Sequence, residues 1–134
     1  EYNDNELTRQ WTIQNGVKHG IEQLYKSELL QMTIPWVDGE INGTVQTYYP
    51  NGSRESEKHM INHQRHGPLK VFYPNGQIMI DEMYQHDQLI SGEYYDKQYC
   101  IKSKIVAGTG TATIFNATGD ITKQIEYLNH EPVV

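Results

Sequence analysis

"TYYPNG" at residues 47–52 and "VFYPNG" at residues 71–76 stand 24 positions apart in a chain of 134 residues. Pro presets φ for the first corner of a turn, while Asn and Gly accept the left-handed backbone that closes a hairpin. One copy is a turn. Two copies in the same phase predict a repeated unit, so periodicity governs how every other residue is read.

Glycines that precede apparent strands extend the pattern: Gly20, Gly43, Gly67, Gly92 and Gly110, at intervals of 23, 24, 25 and 18. Five residues after four of them stands an aromatic, namely Tyr25, Tyr48, Phe72 and Phe115; after Gly92 the same count reaches Lys97. A second kind of turn opens the units, at Asn15-Gly16, Asp38-Gly39 and the segment His63–Gly67. Turn, short strand, turn, short strand describes a β-hairpin of about 24 residues, which buries its apolar side only by pairing with the next hairpin. The expected fold is therefore all-β: an elongated antiparallel sheet of stacked hairpins. The expected organisation is a single repeat domain over residues 1–134, with units at 20–42, 43–66, 67–91, a degenerate 92–109 and 110–128. "IEQLYKSELLQ" (21–31) competes as a helix, but the repeat register puts Tyr25 at the aromatic position and favours a strand. Pro35 lacks a backbone donor and predicts an interruption within Thr33–Trp36.

The stretches 43–57 and 67–81, each with glycine, alternating residues, an aromatic-Tyr pair, Pro-Asn-Gly and a later acidic residue, resemble the MORN-type repeat in its bacterial variant. That variant occurs in proteins of the YwqK-type antitoxin family. The resemblance covers residues 11–128 with varying fidelity and implies an elongated hairpin sheet with a binding or scaffolding role.

Strand side chains alternate between faces. Counted from each glycine, even positions give Val45, Thr47, Tyr49, Leu69, Val71, Tyr73, Ala112 and Ile114, the more apolar side. Odd positions give Thr44, Gln46, Tyr48, Pro68, Lys70, Phe72, Thr111, Thr113 and Phe115, a polar field ending in an aromatic column. Glu22 and Lys26 break the even pattern, as expected of a terminal repeat that keeps its edge polar. Glu57, Asp81 and Gln124 each follow a turn glycine by five residues, a recurrence that predicts bonding to a neighbouring turn.

Bulk properties narrow the function. Net charge is −6 and no Lys/Arg cluster stands out, so duplex nucleic acid and anionic bilayers are disfavoured partners. No apolar run has membrane-spanning length, which disfavours direct insertion. Hydrophobic content is 37% and Tyr outnumbers Phe by 10 to 2, consistent with a thin sheet exposed on both sides. Cys100 is the sole cysteine, which excludes an intrachain disulfide and predicts a buried or inert thiol. Asn42, Asn51 and Asn116 begin glycosylation-type triplets that also read as turn chemistry.

Chemistry-bearing patterns resolve into structure. His59, His63 and His66 have ligand-like spacing, but His66 occupies the place held by His19 and Asn42 in other units, which predicts a turn role and no metal. Gly108-Thr-Gly-Thr lacks the lysine and helix of a phosphate loop. Asp81 and Glu82 are adjacent on a strand and face opposite ways, which rules out shared acid–base work. No cofactor and no catalytic group are expected. The expected function is non-enzymatic protein binding, antitoxin-like in neutralising a partner (a toxin) by contact; the alternative is a structural or membrane-proximal scaffold. The expected partner-binding residues are Gln46, Tyr48, Lys70, Phe72 and Tyr95, on the odd face. Exposed edge strands would also allow an edge-strand homodimer.

Overall fold

The computed structural model describes residues 7–133; the remaining positions of the expected domain lie outside the described residues. The chain is an antiparallel sheet of thirteen strands joined by hairpins, with no helix among the described residues. In order these are β1 (Leu7–Gln14), β2 (Val17–Lys26), β3 (Leu29–Val37), β4 (Glu40–Ile41), β5 (Gly43–Tyr48), β6 (Arg54–Ile61), β7 (Gln64–Phe72), β8 (Ile78–Gln85), β9 (Gln88–Tyr95), β10 (Ile101–Val106), β11 (Thr109–Phe115), β12 (Ile121–Leu128) and β13 (Glu131–Pro132). Sequence order is spatial order, with the short β4 pairing β3 ahead of β5.

Two kinds of turn occupy the two borders of this ribbon. Along one border run two-residue turns with positive φ at both corners: Asn15-Gly16, Asp38-Gly39, Asn62-His63, His86-Asp87, Ala107-Gly108 and Asn129-His130. That backbone matches the right-handed twist of paired strands. The second corner N–H donates backward to the preceding unit: Gly39 to Lys18 O, His63 to Ile41 O, Asp87 to Arg65 O, Gly108 to Ile90 O and His130 to Gly108 O, all at 2.8–2.9 Å.

The other border begins with a two-residue turn of the same kind, Ser27-Glu28, and then carries the Tyr-Pro-Asn-Gly turns. Tyr73 N donates to Gln77 O and Gly76 N to Tyr73 O, both at 2.8 Å. The same pair of bonds recurs at Tyr49–Ser53, Asp96–Cys100 and Asn116–Asp120. Gly52, Gly76 and Gly119 take φ of 89–94° in these turns, and Tyr99 takes the same place at 62°.

This equivalence changes the register of the fourth unit. Since Asp96 matches Tyr73, Tyr95 matches Phe72 and Ile90 matches Gly67. The unit therefore starts two residues before Gly92, and Tyr95, rather than Lys97, fills the aromatic position. Its turn closes like the others, so the segment is degenerate in sequence but not in backbone. Gly92 serves a different purpose, leaving room for the Tyr94 side chain.

Pro35 does not interrupt β3, which runs through it. Its ring is tolerated because β4 and β5 are separate there: Asn42 N donates to Pro35 O at 3.1 Å. In an extended strand the N–H and C=O of one residue point the same way, so the missing donor faces this gap. A Cβ at Gly43, where φ is +127°, would come within 3.0 Å of the Pro35 ring, so the glycine makes room for it.

Buried apolar residues concentrate in the C-terminal half, chiefly but not wholly on the even face. Tyr73, Met79, Ile80, Tyr84, Leu89, Tyr94, Ile105, Ala112 and Phe115 form one buried cluster, with Leu69, Val71, Ile114, Ile125 and Tyr127 packed on it. In β1–β6 the buried apolar residues are Val45 and Met60. The sheet thus has an apolar, closed half and an open N-terminal half.

Candidate functional site: the odd face

Pairing across strands fixes which side chains share a face. Gln23 pairs with Thr33, Thr33 with Gln46, Gln46 with Glu57, Glu57 with Lys70, Lys70 with Asp81, Asp81 with Glu93, and Glu93 with Lys104. The result is a polar row running across the strands from β2 to β10. Arg54 approaches Glu57 at 3.2 Å and Lys104 approaches Glu93 at 3.9 Å. Lys70 stands between Glu57 and Asp81 in this row and forms no ion pair among the described residues.

Beside the polar row lies an aromatic and aliphatic one. Tyr48 pairs with Arg54, Phe72 with Ile78, Tyr95 with Ile101 and Phe115 with Ile121, each just past a one-residue register shift. Tyr48 Oη donates to Gln46 Oε1 at 2.8 Å and Tyr95 Oη to Glu93 Oε1 at 3.0 Å. These bonds tie the aromatic row to the polar one. Burial pushes the Tyr95 hydroxyl up to about 12, helped by Glu93 and Tyr99, so it remains a donor at neutral pH.

The sequence-predicted residues Gln46, Tyr48, Lys70, Phe72 and Tyr95 all occupy these two rows. Gln46, Tyr48, Lys70 and Phe72 are half-buried, whereas Tyr95 is 9% exposed and stacks on the exposed Tyr99 at 5.0 Å. Shallow grooves follow the polar row. One of about 140 Å³ is lined by Thr44, Glu57, His59, Pro68 and Lys70. Another of about 330 Å³ includes Asp81, Ser91, Glu93 and Lys104.

Glu57, Asp81 and Gln124 belong to this face and not to neighbouring turns. Each pairs across its own hairpin, with Gln46, Lys70 and Thr113 respectively. The histidines do serve the turn border. His19 Nδ1 accepts from Asp38 N at 3.4 Å and His66 Nδ1 from His86 N at 3.3 Å, while Asn42 Nδ2 donates to Asn62 Oδ1 at 3.0 Å. Thr109 takes the same place, its Oγ1 accepting from Asn129 N at 3.2 Å. No group of three metal-ligating side chains occurs among the described residues. Of the two expectations for Cys100, buried or inert, burial does not hold: it is exposed, at the end of the turn that begins at Asp96.

Sequence reasoning missed a polar cluster on the even face. Glu82, 8% exposed, accepts hydrogen bonds from Tyr94 Oη and, at 3.3 Å, from Tyr84 Oη. Arg65 lies over the Tyr84 ring at 4.4 Å. Glu82 was visible as an even-face carboxylate, but its partners come from strand pairing.

The hairpin geometry and the Tyr-Pro-Asn-Gly turns agree with a comparison against protein families. Residues 41–62 and 65–86 each match the MORN repeat variant. These MORN units correspond to β4–β6 and β7–β8 with their turns. MORN repeats are generally binding modules for proteins or membranes and are not themselves catalytic. A search of curated proteins finds no match to the chain.

Proposed function

We propose that this chain is a non-enzymatic protein-binding module whose odd face docks a partner protein and neutralises it by direct contact. The observation that carries this reading is the continuity of the polar and aromatic rows through Gln46, Tyr48, Lys70, Phe72 and Tyr95. Aromatics bordered by polar groups are what interface hot spots are commonly made of. The grooves are open and shallow, which suits a protein surface better than an enclosed small molecule. Tyr48, Phe72 and Tyr95 recur with the repeat and also hold adjacent hairpins together, so Gln46 and Lys70 carry the selectivity.

Affinity capture with the intact chain, followed by mass spectrometry, identifies the partner; Lys70→Glu then tests the face. The variant should keep its strand signature by circular dichroism, lose most of its affinity and fail to suppress the partner's activity. Normal binding by Lys70→Glu, together with loss on an even-face change, would move the docking surface elsewhere.

A further inference from the structure

The even face of β1–β7 differs in charge from the rest of the molecule. Arg9, Lys18, Lys58 and Arg65 all project from it, against two carboxylates, Glu22 in β2 and Glu55 beside Tyr49 in β6. The assignment follows from pairing and from contact. Arg9 pairs with Leu24, Lys58 with both Val45 and Leu69, and Arg65 with Met60. Lys18 meets Glu22 at 3.2 Å and lies 5.1 and 4.9 Å from the rings of Trp11 and Trp36. Glu22 is 1% exposed beneath these groups and is held by Arg9 and Lys18 and by Trp36 Nε1 at 2.9 Å. Two cations thus overlie one buried carboxylate, leaving positive charge outward.

Arg65 pairs with Asp87 of the adjoining turn at 3.1 Å. Lys58 forms no ion pair among the described residues. Arg9, Lys18 and Arg65 keep 50%, 30% and 40% of their side chains exposed. Between the two cationic ends lie Ile34, Val45 and Met60. β2 and β6 are three strand spacings apart, about 14 Å. An extended peptide covers that span with about four residues.

We propose that the open even face of β1–β7 binds a short acidic peptide segment, with carboxylates on either side of an apolar centre, laid across the strands. The cations at each end take the carboxylates, and half-buried Ile34, at the surface of the strip it shares with the buried Val45 and Met60, takes the apolar centre. Net charge selects a short segment over a long polyanion. At physiological salt, fields fade over about 8 Å, so a peptide responds to these four cations. A duplex or a bilayer spreads over the whole surface of charge −6 and is repelled by it.

The chain's two tryptophans, Trp11 and Trp36, both border this surface, so intrinsic fluorescence reports binding directly. The probe is a capped synthetic peptide with glutamate pairs flanking a short apolar centre; its glutamine analogue is the control. Emission should change saturably with the glutamate peptide and stay flat with the analogue. Lys58→Glu should bind about tenfold more weakly, with added salt weakening the wild type in the same direction. Arg65→Gln supplies the same comparison should Lys58→Glu fail to fold. Lys70→Glu, on the opposite face, should bind the peptide as wild type does, which separates this surface from the one under Proposed function. No saturable change, undiminished binding by the folded charge variants, or stronger binding of duplex DNA or anionic vesicles at equal charge would each overturn the assignment.

Discussion

Tyr94 folds back over Gly92, two residues earlier on the same face, to donate its hydroxyl hydrogen to Glu82 on the adjoining strand. Gly92 pairs directly with Glu82, and a Cβ there would stand 2.5 Å from Tyr94 Oη. An aromatic ring covering a glycine in a sheet protects the exposed backbone. Here it also partners a buried carboxylate.

Gly92→Ala should therefore destabilise by about 1–3 kcal/mol through crowding alone, since Gly92 does not occupy the left-handed region. In the background of Tyr94→Phe, which removes the hydroxyl nearest the added methyl, the alanine should cost less. Urea denaturation of the four proteins measures the coupling; equal costs in both backgrounds would show that ring and glycine act independently.

Burial pushes the Glu82 carboxyl above its ordinary pKa, outweighing the hydrogen bonds of Tyr94 and Tyr84 and the charge of Arg65. The native state then holds a proton that the unfolded chain releases. Its stabilising contribution is full below the ordinary carboxylate pKa and is lost as pH rises through the elevated one. Within that window the loss is about 1.4 kcal/mol per pH unit. Asp87 works in the opposite sense. Backbone and side-chain hydrogen bonds from Arg65 hold its carboxyl low, so its contribution is lost as pH falls. Subtracting a Glu82→Gln series isolates Glu82. The stability of wild type relative to that variant should fall as pH rises above about 4, and a pH-independent difference would contradict the prediction.

Tyrosines of the Tyr-Pro-Asn-Gly turns bond one unit to the next. Tyr49 Oη donates to Phe72 O at 2.5 Å and Tyr73 Oη to Tyr95 O at 2.9 Å. Tyr73→Phe leaves a buried carbonyl without this donor and should cost about 1–3 kcal/mol. Tyr49→Phe, in a less buried place, should cost less. Chemical denaturation ranks the two; a neutral Tyr73→Phe would assign the stacking to other contacts.

For the turn histidines, His66→Asn should be nearly neutral because Asn42 fills the equivalent place. His66→Ala should cost about 1 kcal/mol, the usual worth of one hydrogen bond. Excess chelator should leave Tm unchanged in both, because a structural metal contributes folding energy directly. A chelator-induced drop in Tm would replace the turn role with a metal.

Local turn chemistry made the period and the β class legible. Asn-Gly and Asp-Gly fix positive φ wherever they stand, and alternation from Gly43 and Gly67 separated the faces. Gly92 misled because one residue type serves two ends: Gly67 relieves the backbone at φ +108°, whereas Gly92 admits a ring. Composition cannot tell these apart; only the partner strand can. Pro35 misled for a related reason, since whether a missing donor matters depends on the gap between β4 and β5. Glu22 looked like a polar cap and is a buried carboxylate neutralised by Arg9 and Lys18. The odd-face rows were foreseeable from alternation, while Glu82 required the pairing of β8 with β9.

The backward hydrogen bonds of the two-residue turns make each hairpin lean on the one before it. Pulled by its two ends, such a ribbon is loaded across its strands, and tension reaches the outermost hairpin first. It yields there while the interior stays paired, and each hairpin of about 24 residues releases about 80 Å of chain as it opens. Under such a load the ribbon lengthens one hairpin at a time and re-pairs from whatever hairpins remain.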